Sequence, residues 1–343
     1  MVKISRREFL RGTAATGVGI AATMLPFEAG AGPESRKVVI MTSQGVLDNP
    51  NGVTPSSLRM DSVGEVNRAI NQSVLNSMLG QGMQSFTGTT SEAAAWKKLL
   101  KPSDVVGIKV NCLFAKGAST HPEVVASIIA GLKLAGVKAD NIIVWDRNDR
   151  EMIRAGYVIN RGSGVQVYGT EGDYDAEPTV KGSFKGRLSK ILTEKITALI
   201  NVPILKDHSM SGITCAMKNH YGSHHNPGEH HGNGGDPFLA ELNSIPVIRE
   251  KTRLIITDAL KPICDGGPGF KSEYVWDYRS LLIATDPVAM DHQGWQIIEA
   301  RRKEVGLPTL ADSGRPPKFL ATAVSMNLGT NDPSKIEIVR KTV

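Results

Sequence analysis

Residues 104–146 read DVVGIKVNCLFAKGASTHPEVVASIIAGLKLAGVKADNIIVWD, and this stretch decides the fold. The β-branched run at 104–110 predicts a strand. A helix is predicted over 122–136, because it begins with proline, ends with glycine and carries apolar residues at helical spacing. The apolar run at 142–145 predicts a second strand. Strand, helix and strand in this order indicate neighbouring parallel strands in an α/β sheet.

The same alternation extends in both directions along the chain. The further predicted strands are 37–41, 165–168, 198–202, 254–257 and 280–284. The further predicted helices are 62–80, 91–100 and 286–302. The first of these helices starts with a capping box from Ser62 to Glu65 and is expected to stop at Gly80. The pattern predicts an α/β fold with a mainly parallel sheet and flanking helices, and it allows two lobes around a cleft.

Polar residues follow the predicted strands, where ligands bind in open α/β sheets. Lys109 and Asn111 end the first strand of the deciding stretch, and we expect them to contact an anionic substrate or a cofactor. The alternative for Lys109 is a side chain that reaches solvent at the strand end. His121 begins the following helix and is a candidate general acid or base. Its alternative is an ordinary first-turn residue.

A histidine-rich segment lies between positions 201 and 235. Six of the eight histidines of the chain fall between positions 208 and 231. Neutral imidazole is a common ligand of zinc, nickel, copper and iron. We therefore predict metal binding by the four later histidines, which are His224, His225, His230 and His231. The alternative is a solvated loop that binds metal only adventitiously.

The same segment contains candidate catalytic and anion-binding residues. His208 and Lys218 are the predicted catalytic pair, and Lys206 and Asn219 are expected to contact the cofactor or anionic groups. Two further cofactor-contact candidates, Asp258 and Asp291, follow later strands. The chain has no P-loop, no G-x-S-x-G elbow and no H-E-x-x-H pair, so the chemistries of those motifs lose support.

The N-terminal sequence predicts export. A basic region, SRREFLR at 5–11, precedes a weakly apolar stretch at 12–25 and an A-x-A cleavage pattern at 29–31. This layout predicts a twin-arginine signal peptide over 1–31, with the twin-arginine translocase and signal peptidase as partners and a periplasmic or other extracytoplasmic location. The apolar stretch is shorter than the roughly 20 residues that span a bilayer, so no stable membrane anchor is expected. An uncleaved N-terminal anchor is the alternative.

Composition narrows the function further. The remainder, 32–343, is treated as one α/β domain, and the net charge of the whole chain is +6. The basic residues are scattered without a block, so we expect no nucleic-acid partner. The three cysteines, Cys112, Cys215 and Cys264, lack C-x-x-C spacing, which argues against an iron–sulfur cluster held by this chain alone.

Several of these stretches together resemble one bacterial and archaeal family, the domain of unknown function 362. The matching stretches are 106–111, 120–122, 201–208, 216–222 and 285–291. The resemblance implies an α/β domain without an established general activity. Many members carry twin-arginine signals, and some carry added ferredoxin modules whose cysteines this chain lacks.

A second and more distant similarity concerns one segment. Its pattern, H-x3-G-x5-K-x3-G over 208–222, resembles the nickel-pincer lactate racemases. The resemblance implies that Lys218 carries a pyridine-derived nickel cofactor, that His208 moves a proton to or from a 2-hydroxy acid, and that a later histidine ligates nickel. His121 would be the second acid or base. The chain departs from that family at Pro122, where the racemases have arginine.

Taken together, the sequence favours an exported enzyme that depends on a metal or metallocofactor. Its expected chemistry is that of a racemase, epimerase or dehydrogenase acting on a small hydroxy or sugar acid, with nickel, iron or zinc as the metal. Folding before export agrees with loading a cofactor in the cytoplasm. Two alternatives stay open: a redox partner of an iron–sulfur protein, and a non-enzymatic periplasmic protein that binds metal or another ligand.

Overall fold

A ten-stranded, mainly parallel sheet lies at the centre of the chain, of which the computed structural model describes residues 36–48 and 70–343. The path through eight of the strands is β12-β1-β11-β10-β7-β2-β3-β4, and β8 pairs with both β10 and β9. The strands of this sheet are β1 (Lys37–Thr42), β2 (Val106–Lys109), β3 (Ile142–Asp146), β4 (Gln166–Gly169), β7 (Ala198–Asn201), β8 (Ile204–His208), β9 (Gly212–Thr214), β10 (Thr252–Ile263), β11 (Ser280–Ala284) and β12 (Glu337–Thr342). A separate antiparallel hairpin consists of β5 (Thr179–Lys181) and β6 (Phe184–Gly186).

The predicted α/β fold is confirmed. Strands β2, β3, β4, β7 and β10 pair in parallel, as the strand–helix–strand pattern of 104–146 predicts. Strand β11 is antiparallel to both of its neighbours, β1 and β10. Strand β8 lies parallel to β10 and turns back into β9. This last hairpin lies within the histidine-rich segment, and its two strands are the last strands before the later histidines.

Helices cover both faces of the sheet. They are α1 (Gln72–Thr87), α2 (Glu92–Leu99), α3 (Pro122–Ala135), α4 (Asp149–Ala155), α5 (Ala216–Asn219), α6 (Phe238–Asn243), α7 (Pro246–Lys251), α8 (Pro287–Glu304) and α9 (Phe319–Ser325). Helices α1 to α3 bury their apolar faces in one core, and α6 to α9 bury theirs in a second core. Alternate side chains of the central strands supply both cores, since successive residues of a strand point to opposite faces.

Two helix predictions can be compared with the structure in detail. The prediction that the first helix ends at Gly80 is wrong, because α1 continues to Thr87 and ends at Gly88, which has a φ of 68°. Inside α1, Gly82 lies where an added Cβ would come within 2.7 Å of Met41, so this glycine lets the helix lie close to β1. The last long helix begins as predicted: Asp286 caps it by accepting from the backbone N–H groups of Val288 and Ala289 at 2.8 Å.

The predicted signal peptide at 1–31 and the predicted helix start at 62–69 lie outside the described residues. Within the described part of the chain, no helix is both long and apolar enough to cross a bilayer.

Candidate functional site

Strand β8 and helix α5 bring the predicted catalytic residues together. His208 ends β8, where it pairs with Gly212 at the start of β9. Gly212 has a φ of 77°, and an added Cβ would lie 2.5 Å from the carbonyl oxygen of Arg315, so only glycine fits this turn. The chain then enters α5, which carries Lys218. The predicted pair therefore lies on two elements joined by one tight hairpin.

Lys218 is the most unusual group of this site. Its Nζ lies 2.8 Å from Nε2 of His231 and 3.5 Å from the ring centre of Tyr221. The side chain is buried, and no carboxylate pairs with it among the described residues. Burial, aided by the charge of Lys206, holds the pKa of Lys218 well below its usual range. A neutral amine is thus favoured, and such an amine can act as a base or a nucleophile.

Two imidazole rings lie beside this amine. The rings of His208 and His231 stack with their centres 5.5 Å apart. Nδ1 of His208 accepts from the backbone N–H groups of Met210 and Ser211, at 3.1 and 3.3 Å, so the proton of the neutral ring is on Nε2. Burial and the neighbouring Lys218 lower the pKa of His208 to about 2 and that of His231 to about 4. Both rings are therefore neutral at neutral pH.

Lys206 adds a second buried amine to the same strand. Its Nζ donates to the carbonyl oxygen of Ala118 at 2.6 Å and lies 5.1 Å from the ring centre of Phe114. Burial lowers its pKa to about 7, although the charge of Asp146 opposes the shift. Two buried lysines on adjoining elements, each without a carboxylate in contact among the described residues, make this region suited to an anion. We name the group Lys206, His208, Lys218 and His231 the lysine–histidine cluster.

His121 forms a buried dyad with Asp258. Nδ1 of the ring lies 2.7 Å from Oδ2 of Asp258, and the backbone N–H of His121 donates to the same oxygen at 2.8 Å. Burial alone would lower the pKa of His121, but the charge and hydrogen bond of Asp258 outweigh it, and the pKa is raised. Asp258 is the register partner of Ile204 in β8, and the loop before His121 is bound by Lys206. The dyad therefore adjoins the lysine–histidine cluster.

Lys109 and Asn219 have no hydrogen-bond donor left for a ligand. Nζ of Lys109 donates to Asp146, to the carbonyl oxygen of Val110 and to that of Asn219, at 2.6, 2.7 and 3.2 Å. The side-chain amide of Asn219 donates to Asn201 at 2.7 Å and to the carbonyl oxygen of Lys109 at 3.1 Å. These bonds fasten β2 to α5. We therefore assign Lys109 and Asn219 a positioning role in place of the predicted ligand contact.

Asn111 and Asp291 support the same helix. The side-chain amide of Asn111 donates to Oδ1 of Asn219 at 3.2 Å, and its own buried side-chain oxygen, Oδ1, has no partner among the described residues. Asp291, from α8, accepts from the backbone N–H groups of Ala216 and Met217 at 2.6 and 3.2 Å. Its carboxylate thus caps the first turn of α5. Asp291 reaches Lys218 through this helix and is a positioning residue.

The four later histidines do not converge. His231 joins the lysine–histidine cluster, whereas His224 and His230 pack against Phe184, with ring centres 5.0 and 4.8 Å from it. His225 lies farther out, 6.1 Å from the ring of Tyr174. Across residues 36–48 and 70–343, no group of three or more His, Cys, Asp or Glu side chains is arranged to hold a metal ion.

An ion-pair network behind His208 was not predicted from the sequence. Arg315 bonds Asp207 and also donates to Asp265 at 2.5 Å, and Arg302 donates to the same oxygen of Asp265 at 2.6 Å. Arg315 also donates to the carbonyl oxygen of His208 at 3.3 Å. The one feature of the sequence that indicates such a network is Asp207, a charged residue close to the apolar run at 202–205, but it does not indicate which residues it pairs with.

Comparisons with known proteins bear on the family. The model of a family described as "Domain of unknown function (DUF362)" matches residues 106–296. A search of curated proteins gave no match. A crystal structure of a Thermotoga maritima protein from the Northeast Structural Genomics Consortium is similar, with 12% identity and a TM-score of 0.43. The match covers 69% of this chain and 60% of that one, so the chain spans about three fifths of its length.

Proposed function

The chain belongs to the DUF362 family, and we propose that it is an enzyme that transfers a proton on a small anionic substrate at the lysine–histidine cluster. One observation carries the proposal. The amine of Lys218 is buried, lies 2.8 Å from Nε2 of His231 and touches no carboxylate among the described residues. Burying an amine in this way is costly, and perturbed groups of this kind concentrate at functional sites.

The charges of the cluster favour an acidic substrate. Lys206, with a pKa of about 7, is partly protonated at neutral pH. A bound carboxylate would stabilise the protonated form of this lysine and raise its pKa. The substrate class that this supports is a small hydroxy acid or sugar acid, whose carboxylate pairs with Lys206.

Each residue of the cluster has a definite part in the proposed proton transfer. The neutral amine of Lys218 takes a proton from the substrate and becomes an ammonium, which Nε2 of His231 stabilises by accepting a hydrogen bond. His208, whose Nε2 carries the ring proton, donates to the substrate oxygen on which negative charge develops. His121, held by Asp258, is the second acid, and its raised pKa suits the return of a proton. Racemisation and epimerisation need two such groups.

A second form of the proposal places a nickel-pincer-type cofactor on Lys218, as the distant resemblance of 208–222 implies. Two residues needed for this group lie side by side. The amine of Lys218 would attach the cofactor, and the imidazole of His231, 2.8 Å away, would ligate its metal. Such a group, when bound, supplies an electron-accepting centre for hydride chemistry. Lys206 would then hold the substrate carboxylate, and His208 would hold the proton of its hydroxyl group. The remaining alternative is an iron or zinc ion in place of nickel beside Lys218.

Solvent exchange tests the proton transfer. The purified protein is incubated in deuterium oxide with a panel of small hydroxy and sugar acids, and the hydrogen on the carbon beside the carboxylate is followed by NMR. We expect exchange in at least one acid with the wild type and its loss in Lys218→Gln. Exchange that survives in Lys218→Gln would remove Lys218 from the mechanism.

Intact-mass and metal analysis separates the two forms. Protein purified from its native host either carries an adduct on Lys218 with stoichiometric metal or has the mass of the unmodified chain. An adduct that persists in Lys218→Ala would place the attachment elsewhere. An unmodified mass without metal would leave the acid–base form standing and rule out the cofactor form.

We further propose that the folded domain is exported through the twin-arginine pathway, on the strength of the motif at 5–11. Replacing both Arg6 and Arg7 by lysine in the native host should retain the protein in the cytoplasm. Fractionation followed by detection of the chain measures this. Unchanged export of the double variant would contradict the proposal.

A further inference from the structure

A cleft lies beside the histidine-rich segment, and none of the four residues of the lysine–histidine cluster lines it. It has a volume of about 550 Å³ and is bounded by the β5–β6 hairpin, by residues 225–230 and by Phe238. Volumes of this order are typical of sites for small molecules. The ring of Tyr221 connects the two regions, because it packs against His231 of the cluster and against His224, with centres 5.0 and 5.7 Å away, and the ring of His224 in turn lies 5.1 Å from that of His230 in the cleft lining.

Two cationic side chains line this cleft. Lys185 and Arg187 both face it, and in the described part of the chain neither side chain has a hydrogen-bond or ion-pair partner. The acidic residue of the lining, Glu229, is already bound by Asn226 at 2.7 Å. The lining thus carries two cations and one carboxylate, and neither cation forms an ion pair with that carboxylate within the described part of the chain.

The neighbouring histidines have defined tautomers when neutral. Nδ1 of His225 accepts from the backbone N–H of Arg187 at 2.9 Å, so its Nε2 carries a proton and can donate. Nδ1 of His230 lies 3.1 Å from the carbonyl oxygen of Asn226 and must donate to it, so its Nε2 is an acceptor. The cleft thus offers cationic donors, one neutral donor and one acceptor.

The wall that carries the two cations is held in place. Glu241, from α6, accepts from the backbone N–H groups of Ser183 and Phe184 at the turn of the hairpin, at 2.9 to 3.0 Å. Gly182 permits this contact, since it has a φ of 59° and an added Cβ would lie 2.0 Å from the carboxylate. A fixed wall lowers the ordering cost of binding at Lys185 and Arg187.

We propose that this cleft binds a small oxyanion, a phosphate or carboxylate group, through Lys185, Arg187 and His225. The acceptor on His230 selects a ligand with a hydroxyl or amino group beside the anionic group. Phe238 provides an apolar wall for the remainder of the ligand. This site is separate from the lysine–histidine cluster and does not depend on the function proposed for it.

Calorimetric titration of the whole protein with inorganic phosphate, and in a second arm with succinate, tests the inference at low salt. We expect binding of at least one anion by the wild type. In Lys185→Gln/Arg187→Gln that binding should weaken by about a hundredfold or more, because both charge-assisted hydrogen bonds to the anion are lost. The arm that binds identifies the oxyanion.

Two variants serve as controls. Lys181→Gln removes a charge from the same hairpin outside the cleft lining and should bind like the wild type. Lys218→Gln should also retain binding, because Lys218 does not line the cleft. The inference is overturned if neither anion binds, if Lys181→Gln weakens binding as much as Lys185→Gln/Arg187→Gln, or if Lys218→Gln abolishes it. Unchanged circular dichroism of each variant shows that the fold is intact.

Discussion

The two sides of Tyr221 differ in kind, although the histidines that build them are neighbours in sequence. On one side His231 contacts the amine of Lys218, and on the other His230 packs against Phe184 and lines the cleft beside the β5–β6 hairpin. The density of histidines in this segment suggests one metal site, but successive side chains at 230 and 231 enter different environments. The partners of each imidazole, rather than the number of imidazoles, therefore define a site.

The largest expected effect is a loss of turnover, and it tests directly whether the two sides of Tyr221 act independently. Lys218→Gln should lower turnover by roughly 10²–10⁴-fold, the usual contribution of a general acid or base, because the amide cannot take a proton. Lys185→Gln is the matched change on the other side and should leave turnover within about twofold of the wild type. Steady-state rates on the substrate found by exchange measure both. Equal losses in the two variants would mean that the two sides form one site.

A smaller effect, on the free energy of unfolding, is expected at the His121–Asp258 dyad. Asp258→Asn leaves His121 buried without its anion, so the pKa of His121 should fall, and unfolding should become easier by about 3 kcal/mol. A raised pKa of His121 stabilises the fold fully below the unfolded value of 6.5, and this contribution is lost as pH rises through the folded value. The deficit of the variant should therefore be largest at acidic pH.

Denaturant titrations of wild type and Asp258→Asn at several pH values, with NMR titration of the His121 ring, measure the dyad. A stability deficit that grows with pH would reverse the sign and contradict the assignment. Asp286→Asn is a suitable control, since it changes a capping carboxylate at the start of α8 that has no contact with His121.

Asp291 gives a third and smaller effect with its own dependence on pH. Burial raises the pKa of this carboxyl group from 3.8 to about 7. The folded state therefore binds more protons than the unfolded state between pH 4 and 7, and the contribution of Asp291 to stability falls as pH rises through that window. Replacement by asparagine keeps an acceptor for α5 without the buried charge.

The expected pH dependence of the Asp291→Asn variant follows from the raised pKa of Asp291. The variant should lose roughly 1 kcal/mol or less at pH 4, where the wild-type carboxyl group is protonated and carries no buried charge. It should lose still less at pH 7, where the wild type bears the cost of a partly ionised buried carboxylate that the amide avoids. Its kcat should fall more than its KM changes, because Lys218 is positioned less well. Chemical denaturation at both pH values and steady-state kinetics measure this. A kcat equal to that of the wild type would show that Asp291 supports the fold alone.

The sequence predicts the α/β fold, because a strand–helix–strand run is a local pattern. The pairing of His208 with Lys218 is expected from their spacing in the distant resemblance, whereas the β8–β9 hairpin between them was not predicted. The sequence does not predict that Lys109 forms a buried ion pair with Asp146. Asp146 lies on the neighbouring strand, and the register of the two strands is set by the whole sheet. For the same reason Arg315, which is 107 residues from His208, cannot be recognised as its support from spacing alone.

The smallest expected effect lies on the other side of Tyr221, at His224. Its ring is buried between aromatic neighbours, and Nε2 has no hydrogen-bond partner among the described residues, whereas Nδ1 lies 3.2 Å from Oδ1 of Asn226. His224→Phe removes both nitrogens and fills the same space, so stability should change by about 1 kcal/mol or less, because one weak hydrogen bond is exchanged for the relief of one unsatisfied atom.

If the separation of the two sides is correct, turnover in His224→Phe stays within about twofold of the wild type and the metal content of the protein is unchanged. Denaturant titration, steady-state rates and metal analysis of the same preparation measure these quantities, with Phe184→Leu as a control for packing at the same contact. A loss of bound metal in His224→Phe but not in Phe184→Leu would make the unpartnered Nε2 a ligand, and Tyr221 would then no longer divide two independent sites.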